Sequence, residues 1–327
     1  MTTRSNASPS ELTMMADTIG FVGLGAMGSR IASRLVAADR AVIVYDPDEK
    51  AVARLTGLGA RAAASPAQVA AAASVVFCSL PTPAIVSEVA LGNDGLIHGG
   101  ALRTIVDLST TGTSATTRIA AQLGKAGIDF LDSPVSGGVS AAEAGTLTLM
   151  VSGRHDVFTA LQPLLALIGK NIFYVGEAPG QGQSMKLVNN LLFAANAIAA
   201  FEVLVMAAKA GLDPRTVLDI MNVSTGRSYI TTHRVPDCVL DRSFPQRFAT
   251  ELLFKDVRLG IDEAEAMGAP LHMAHAARAF LAAAIADGEG ALDCANLIKR
   301  FERLAGAEFG ASTTEDDATQ TVATAGS

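Results

Sequence analysis

The chain has 327 residues, of which 50% are hydrophobic and 17% charged, with a formal net charge of −7. This composition provides a large apolar core and excludes a disordered chain, and at roughly 100 to 200 residues per domain the length predicts two domains. The acidic balance leaves no basic field for a polyanion, so we expect no nucleic-acid partner. The three cysteines lie far apart without a CxxC pair, which predicts neither disulfides nor zinc and favours a cytoplasmic protein.

Both ends of the chain are predicted to be flexible. Residues 1–17 are polar and lack the apolar stretch of a signal peptide, and residues 311–327 contain almost no large apolar side chain to anchor them. The most apolar segment, residues 187–208, is long enough to suggest a membrane span. However, it carries Asn190 and Glu202, which would be costly inside a bilayer. We therefore predict a helix buried in protein and no membrane partner.

Residues 18–180 alternate short β-branched runs with Ala-rich stretches of helical length, which is typical of βαβ units and a parallel sheet. The predicted strands are Ile19–Val22, Ala41–Tyr45, Ser74–Cys78, Thr104–Asp107, Asp129–Leu131, Leu147–Val151 and Ile172–Val175. The predicted helices are Met27–Ala38, Glu49–Leu58, Pro66–Ala72, Ala84–Ala90, Ser114–Lys125 and Val157–Ile168. This part of the chain is therefore predicted to be an α/β domain.

The second half of the chain has helical periodicity only. Asp213 and Pro214 suit a cap and a first-turn proline, and a Pro/Gly-rich stretch near residue 180 is typical of a domain boundary. We predict an all-α domain over residues 181–310, joined to the first by a long buried helix. Because this helix is apolar on every side, it has to be covered all round. That predicts a position between the domains and a part in the interface of a homodimer or tetramer.

A glycine-rich loop follows the first predicted strand. It contains Gly23, Gly25 and Gly28 in GxGxxG spacing, with Ala26 and Met27 between the last two. The first glycine allows a tight turn, the second leaves room for a pyrophosphate, and the third permits close packing of helix and strand. The start of the next helix offers free N–H groups to the phosphate. The loop predicts a Rossmann-type dinucleotide site.

The acid at the end of the second predicted strand bears on the choice of cofactor. Asp46 follows the glycine loop by roughly 20 residues, where this fold has an acid for the ribose hydroxyls. A carboxylate accepts from a 2′-hydroxyl and repels a 2′-phosphate, so NAD is favoured over NADP. Two alternatives stay open: Asp46 is a strand-end cap, and Lys50 or Arg54 binds a phosphate.

Two further motifs bear on chemistry. Ser136, Gly137 and Gly138 place a hydroxyl beside two flexible glycines, which suits a carboxylate held by backbone N–H groups, although a simple glycine turn explains the pattern equally well. Lys186 and Asn190 lie four residues apart on one helix face. Partial burial lowers the pKa of a lysine, so that it can exchange a proton with a substrate oxygen near neutral pH. A snorkelling surface lysine is the alternative.

Four blocks of sequence together resemble the β-hydroxyacid dehydrogenase family, which includes 3-hydroxyisobutyrate dehydrogenase and tartronate semialdehyde reductase. They are GLGAMG at residues 23–28, DSPVSGG at 132–138, GQGQSMKLVNN at 180–190 and FKDVRLG at 254–260. The resemblance covers residues 19 to about 309. It implies a Rossmann-type N-terminal domain, an all-α C-terminal domain and an active site in the cleft between them.

The resemblance also implies roles for single residues. Lys186 corresponds to the family's catalytic lysine and Asn190 to its partner, while residues 136–138 correspond to the substrate carboxylate site. Arg227 lies in a segment similar to the loop over the substrate, where a purely structural role is equally compatible. The positions corresponding to cofactor contacts outside the glycine loop are Leu80, Pro81, Thr110 and Lys255, the last of which closes over the nicotinamide.

The implied activity is NAD-dependent oxidation of a small 3-hydroxy acid such as 3-hydroxyisobutyrate, or the reverse reduction of its semialdehyde, with Lys186 exchanging the hydroxyl proton. One alternative is an imine reductase of similar fold, in which the lysine position usually carries another residue. The other is a non-catalytic binding module, which would be expected to lose Lys186. No metal is expected, because His272 and His275 are one turn apart without a third ligand nearby.

Overall fold

A computed structural model describes residues 18–310 of the chain, so the predicted flexible leader and tail lie outside the described residues. The described residues divide by their contacts into two units: residues 18–191 with 255–272, and residues 192–254 with 273–310. The predicted boundary at residue 180 marks the end of the α/β pattern. The first unit also takes in the start of the long helix that follows and part of a later one.

Nine strands of the first unit form one sheet. They are Thr18–Val22 (β1), Ala41–Tyr45 (β2), Arg61–Ala62 (β3), Val75–Cys78 (β4), Thr104–Asp107 (β5), Asp129–Asp132 (β6), Val135–Ser136 (β7), Leu147–Ser152 (β8) and Gly169–Gly176 (β9). Their order is β3-β2-β1-β4-β5-β6-β8-β7, and β9 also pairs with β8. All pairs among β1 to β6 are parallel, whereas β8 runs antiparallel to β6 and β7. The sheet is parallel-dominated, as predicted, with a mixed edge.

Seven helices connect these strands, and an eighth follows the sheet. They are Gly28–Ala37 (α1), Glu49–Thr56 (α2), Pro66–Ala72 (α3), Pro83–Leu91 (α4), Thr113–Lys125 (α5), Gly138–Ala144 (α6), His155–Leu165 (α7) and Gln181–Lys209 (α8). All six helices predicted for this region are present, with no end shifted by more than three residues and with Pro66–Ala72 exact at both ends. Caps fix several of the ends: the Ser65 hydroxyl, for example, accepts from the Gln68 N–H at the start of α3.

The sheet is covered on both faces by apolar side chains. Phe21 and Phe77 belong to a core with α1, α2 and α7, and their rings stack at 6.3 Å between centroids. Val22 and Val76, their neighbours in sequence, belong to a second core with α3, α4 and α5. Since successive side chains of a strand point to opposite faces, the strands are buried on both sides, which explains their continuous apolar runs.

Two elements near the predicted substrate loop were missed. No strand or helix was predicted within the DSPVSGG block at residues 132–138, but Val135–Ser136 is a short strand and α6 begins directly at Gly138. A two-residue strand has no recognisable period, and the glycines before the helix suggest a turn rather than a helix start. Both elements were therefore missed, while the turn expected from the glycines lies between them.

The second unit is helical, as predicted. It contains the end of α8 and the start of Thr250–Ala266 (α11), together with Pro214–Val223 (α9), Val235–Cys238 (α10), His272–Ala286 (α12) and Ile298–Ala305 (α13). The buried side chains of Arg234 and Asp293 form an ion pair in this unit. Asp293 also accepts from the N–H groups of Arg247 and Phe248, each at 2.7 Å. This carboxylate thereby joins three segments of the unit.

Helix α8 has 29 residues and an 18-residue window of mean hydropathy 2.1, so by length and composition alone it is able to cross a membrane. We predicted a helix covered on every side. Only 39% of that window is buried, and Val188, Leu192 and Met206 are 58%, 62% and 68% exposed. The single chain therefore leaves part of this apolar surface uncovered.

Candidate active site

The glycine-rich loop between β1 and α1 has the geometry that its three glycines predict. Gly23 has a φ of +92°, and a Cβ there would lie 2.3 Å from the Ser79 carbonyl oxygen. A Cβ at Gly28 would lie 2.0 Å from the Gly23 carbonyl oxygen, while nothing lies within 4 Å of a Cβ at Gly25. Ala26 is exposed beside it. The loop is closed where backbones meet and open at the position that a pyrophosphate needs.

Asp46 follows β2 and binds the loop itself. Its carboxylate accepts from the N–H of Leu24 at 2.6 Å and of Asp48 at 2.8 Å. It borders a cavity of about 510 Å³, which is also lined by Arg30 and Arg54. One of the alternatives left open by the sequence is therefore present, because Asp46 does cap backbone groups. The cavity offers a carboxylate to hydroxyls and two cations to phosphate.

The loops after β4 and β5, predicted to contact the cofactor, are bonded to each other. The Leu80 N–H donates to the Ser109 hydroxyl at 2.9 Å. The Lys255 ammonium donates to the carbonyl oxygens of Thr110 at 2.9 Å and Pro81 at 3.4 Å. Lys255 thus ties together the two loops that were predicted with it as cofactor contacts.

Behind these loops lies a buried acid that the sequence analysis did not single out. Asp107 ends β5, and its carboxylate accepts from the Ser109 N–H at 3.1 Å. Burial raises the pKa of Asp107 to about 6, opposed by the hydrogen bonds from Ser109 and by the charge of Lys255. Its second oxygen has no hydrogen-bond partner among the described residues. The hydrogen bond from Ser109 orders the loop around this buried carboxylate. With a pKa of about 6, the carboxylate exchanges its proton close to neutral pH.

Ser136, Gly137 and Gly138 stand at the end of β7 and the start of α6. Ser136 is half-buried, and both glycines are exposed with φ values of +126° and +71°. Left-handed backbone at two successive positions is strained for any residue with a side chain. Two exposed glycines therefore stand beside the serine hydroxyl, and backbone N–H groups at glycine positions of this kind can bind an anionic group.

Helices α8 and α11 bring four polar side chains together, Lys186 and Asn190 from the first and Lys255 and Asp256 from the second. Asn190, only 4% exposed, donates from Nδ2 to the Asp256 carboxylate at 2.6 Å, and that carboxylate lies 3.2 Å from the Lys255 ammonium. Lys186 is half-buried. Burial lowers the pKa of Lys186, Asp256 raises it, and Lys255 lowers it further. The cluster therefore holds an amine that loses its proton more readily than an exposed lysine.

The sequence predicted Lys186, Lys255 and Asn190 as site residues but gave Asp256 no role. Its signal was available, because an acid directly follows Lys255 in an otherwise apolar stretch of α11. Asn190 was predicted as the partner of the lysine, and its hydrogen bond is made to this acid instead.

A third overlooked acid anchors the start of α8. Asp132 is fully buried and accepts from the Gly180 and Gln183 N–H groups at 2.8 and 3.0 Å and from the Ser152 hydroxyl at 2.6 Å. Burial raises the pKa of Asp132, and these hydrogen bonds oppose the rise. A Cβ at Gly182 would lie 2.3 Å from the Met150 carbonyl oxygen, so the helix start comes close enough only with glycine there.

Arg227, predicted to shape specificity, belongs to the second unit. It is exposed in a turn after α9 and donates its N–H to the Ser224 carbonyl at 3.3 Å. The neighbouring Ser228 and Thr231 cap each other, with the Ser228 N–H bonded to the Thr231 hydroxyl at 2.9 Å. A role of Arg227 toward substrate stays a prediction.

Comparison with known proteins shows the class of protein to which this chain belongs. Residues 18–176 match the NAD-binding domain of 6-phosphogluconate dehydrogenase, and residues 180–301 match the NAD-binding region of NADP-dependent 3-hydroxyisobutyrate dehydrogenase. Fold and sequence thus define an oxidoreductase with a nicotinamide dinucleotide site. The chain belongs to the β-hydroxyacid dehydrogenase family, as its four sequence blocks predict, and its relatives act on CH–OH groups.

Individual relatives support this placement. 2-(Hydroxymethyl)glutarate dehydrogenase from Eubacterium barkeri is 38% identical over 88% of this chain and 96% of its own. A structure of Mycobacterium tuberculosis 3-hydroxyisobutyrate dehydrogenase with L-serine is 31% identical, with a TM-score of 0.78 over 86% of this chain and 98% of its own. The imine reductase from Myxococcus stipitatus is 18% identical, with a TM-score of 0.59 over 87% and 99%. That last likeness shows a shared fold only.

The charge cluster generates a prediction about Lys186 that does not depend on any substrate. Asp256→Asn should lower the pKa of the Lys186 ammonium further, because the substitution removes the one neighbouring charge that raises it. The measurement is a titration of the lysine side-chain signal by NMR. Asp262→Asn, on the same helix but exposed, is the control and should leave the titration unchanged. Equal titration curves in all three proteins would contradict the assignment of Asp256.

Proposed function

We propose that the chain oxidises the primary alcohol of a 2-substituted 3-hydroxypropanoate with NAD, and reduces the corresponding semialdehyde in reverse. 3-Hydroxyisobutyrate, 2-(hydroxymethyl)glutarate and L-serine, the compounds in the names of the relatives, all share a CH₂OH group and a carboxylate on one carbon. They differ only in the third substituent. The shared part defines the substrate class, and the variable part leaves the individual acid to experiment.

The residues divide the reaction between them. A bound nicotinamide dinucleotide supplies the hydride acceptor, and the open space over Gly25 suits its pyrophosphate. Ser136 and the N–H groups of Gly137 and Gly138 hold the substrate carboxylate. Neutral Lys186 accepts the proton of the hydroxyl group while the hydride leaves the carbon that bears this hydroxyl. The alcohol thereby becomes an aldehyde and the amine an ammonium. In reverse, the ammonium returns that proton to the carbonyl oxygen.

One observation carries this proposal: a half-buried lysine of lowered pKa lies in the same compact unit as the glycine loop. A general acid–base works best with a pKa close to the working pH, and removal from water moves a lysine in that direction. A module that only binds cofactor has no use for such a group. An imine reductase is supported by the shared fold alone.

The test follows NADH absorbance while 3-hydroxyisobutyrate, 2-(hydroxymethyl)glutarate, L-serine and 2-hydroxy acids are offered with NAD. Turnover should be confined to the acids that carry a CH₂OH group next to the carboxylate-bearing carbon. Lys186→Ala should reduce kcat by about 10²-fold or more, the scale of general acid–base catalysis, with NADH affinity nearly unchanged. The matched control is Lys170→Ala, at an exposed position of β9, which should retain activity. Turnover of Lys186→Ala close to the wild type would remove the proposed acid–base.

The preference for NAD is proposed from Asp46, whose charge repels a 2′-phosphate and whose oxygens can accept from ribose hydroxyls. Asp46→Ser should raise the NADP-to-NAD ratio of kcat/KM about tenfold or more, equivalent to roughly 1.4 kcal/mol. Asp48→Ser is the control, since it removes a charge from the same cavity while serine keeps the cap of α2. An unchanged ratio for Asp46→Ser, or an equal change in both variants, would contradict a specific role of Asp46.

We also propose a homo-oligomer that covers the exposed apolar residues of α8. Val188 and Leu192 lie one turn apart on the same helix face and are more than half exposed. Sedimentation at micromolar concentration should show a dimer or tetramer, and Leu192→Glu should dissociate it. Leu58→Glu, at an equally exposed leucine after α2, should leave the assembly intact. A monomeric wild type would contradict this proposal without affecting the chemistry.

A further inference from the structure

Gln183 lies in the first turn of α8 and is fully buried, yet its side-chain amide is bonded at both ends. Oε1 accepts from the Thr111 N–H at 2.9 Å and the Gly112 N–H at 3.3 Å. Nε2 donates to the Ser109 carbonyl at 3.0 Å. These backbone groups stand on both sides of Thr110. A single amide therefore fixes the segment on either side of a residue predicted to contact the cofactor.

The position of this amide is itself set by the start of the helix. The Gln183 N–H donates to the buried Asp132 carboxylate at 3.0 Å, which also accepts from the Gly180 N–H at 2.8 Å. Lys186 follows three residues later, so it lies next to Gln183 along the helix surface. The helix that carries the lysine and the loop that carries Thr110 are thus joined through the Gln183 side chain. Just after the loop, the Thr113 hydroxyl adds a contact to the Ser184 hydroxyl at 2.8 Å.

The loop has a second anchor of a different kind. Lys255 donates to the Thr110 carbonyl at 2.9 Å, but it is half-buried and its charge is shared with Asp256. Gln183 is neutral and shielded from water, so its hydrogen bonds face little competition from solvent. Of the two anchors, Gln183 is the one that connects the loop to the lysine helix.

We propose that Gln183 is a positioning residue for hydride transfer. It holds the Thr110 loop, and with it the nicotinamide end of a bound cofactor, at a fixed distance from Lys186. The effect expected on turnover rests on the proposed function. Its oxygen accepts from two loop N–H groups and its nitrogen donates to a loop carbonyl, so the amide is directed at the loop and its role is to position that loop. A shift of about 1 Å in the distance between the cofactor and the catalytic side chain can reduce turnover by roughly 10²-fold.

The chemistry of the amide makes the proposal specific. Both an acceptor, for two N–H groups, and a donor, for the Ser109 carbonyl, are needed at this place. Gln183→Met keeps the length of the side chain and removes both, while Gln183→Glu keeps the acceptor and loses the donor when ionised. The Q183E carboxyl regains a donor when it is protonated, so its behaviour must depend on pH.

The experiment compares steady-state and isotope measurements for these two variants, using the acid that the wild type turns over. Gln183→Met should lower kcat by about tenfold or more, with the KM of the acid and the NADH dissociation constant changed by less than about fivefold. The isotope effect with substrate deuterated at the reacting carbon should increase. For Gln183→Glu, the ratio of its kcat to that of the wild type should rise as the pH is lowered.

The matched control is Gln181→Met, two residues earlier, where the exposed side chain accepts only from the Ala178 N–H at 3.1 Å. Its kcat should stay within about twofold of the wild type. A normal kcat in Gln183→Met, a loss confined to NADH affinity, or a pH-independent ratio for Gln183→Glu would overturn the proposal. If thermal denaturation shows Gln183→Met to be unfolded, the pH dependence of Gln183→Glu decides.

The two proposals fail in distinguishable ways. A wild type that turns over none of the acids refutes the proposed function. The positioning role is then decided by hydrogen exchange of the Thr111 and Gly112 amides, which donate to Gln183. Protection of both amides should be lost in Gln183→Met and retained in Gln181→Met. Retained protection in Gln183→Met would overturn the role of this residue whatever the substrate is.

Discussion

The hydrogen bonds between the Asp132 carboxylate and the first turn of α8 determine where the chemistry of the first unit is placed. A helix start has N–H groups without partners inside the helix, and here a buried acid from the end of β6 accepts two of them. Burial raises the pKa of Asp132, so the bonds must offset the cost of an ion away from water. The position of Lys186 along the helix follows from this cap.

Around that lysine, charge is balanced over a few side chains rather than paired one to one. Asp256 faces Lys255 at 3.2 Å and accepts from the Asn190 amide at 2.6 Å, so a single carboxylate serves both a cation and a neutral donor. Its charge opposes the lowering of the Lys186 pKa by burial. Lys255, the second ammonium group near this acid, lowers the Lys186 pKa and so favours release of its proton.

The sequence predicted features that depend on local pattern. The spacing of Gly23, Gly25 and Gly28 predicted the loop, and the bounds of the strands Ala41–Tyr45 and Thr104–Asp107 were right to the residue. These segments are short apolar runs between clear stop signals, so no distant contact is needed to recognise them. Family resemblance then implied roles for Lys186, Asn190 and Lys255, and these roles stay predictions that activity measurements have to test.

What the sequence did not reveal depends on contacts between distant segments. Asp132 and Gln183 are far apart in the chain and meet only because β6 and α8 are brought together. Nothing in a local window distinguishes a capping aspartate from a strand-end one, or a clamping glutamine from an exposed one. The short strand Val135–Ser136 was missed for a similar reason, since it is ordered by pairing with β8.

The left-handed backbone at Gly137 and Gly138 limits how an enzyme of this kind can diversify. A Cβ at the first position would meet the Ala141 side chain at 2.6 Å, and at both positions a side chain would be strained. Replacement of either glycine is therefore unfavourable in the segment that is proposed to hold the carboxylate. Under the proposed function, acceptance of a different acid would depend on the residues that surround the variable substituent.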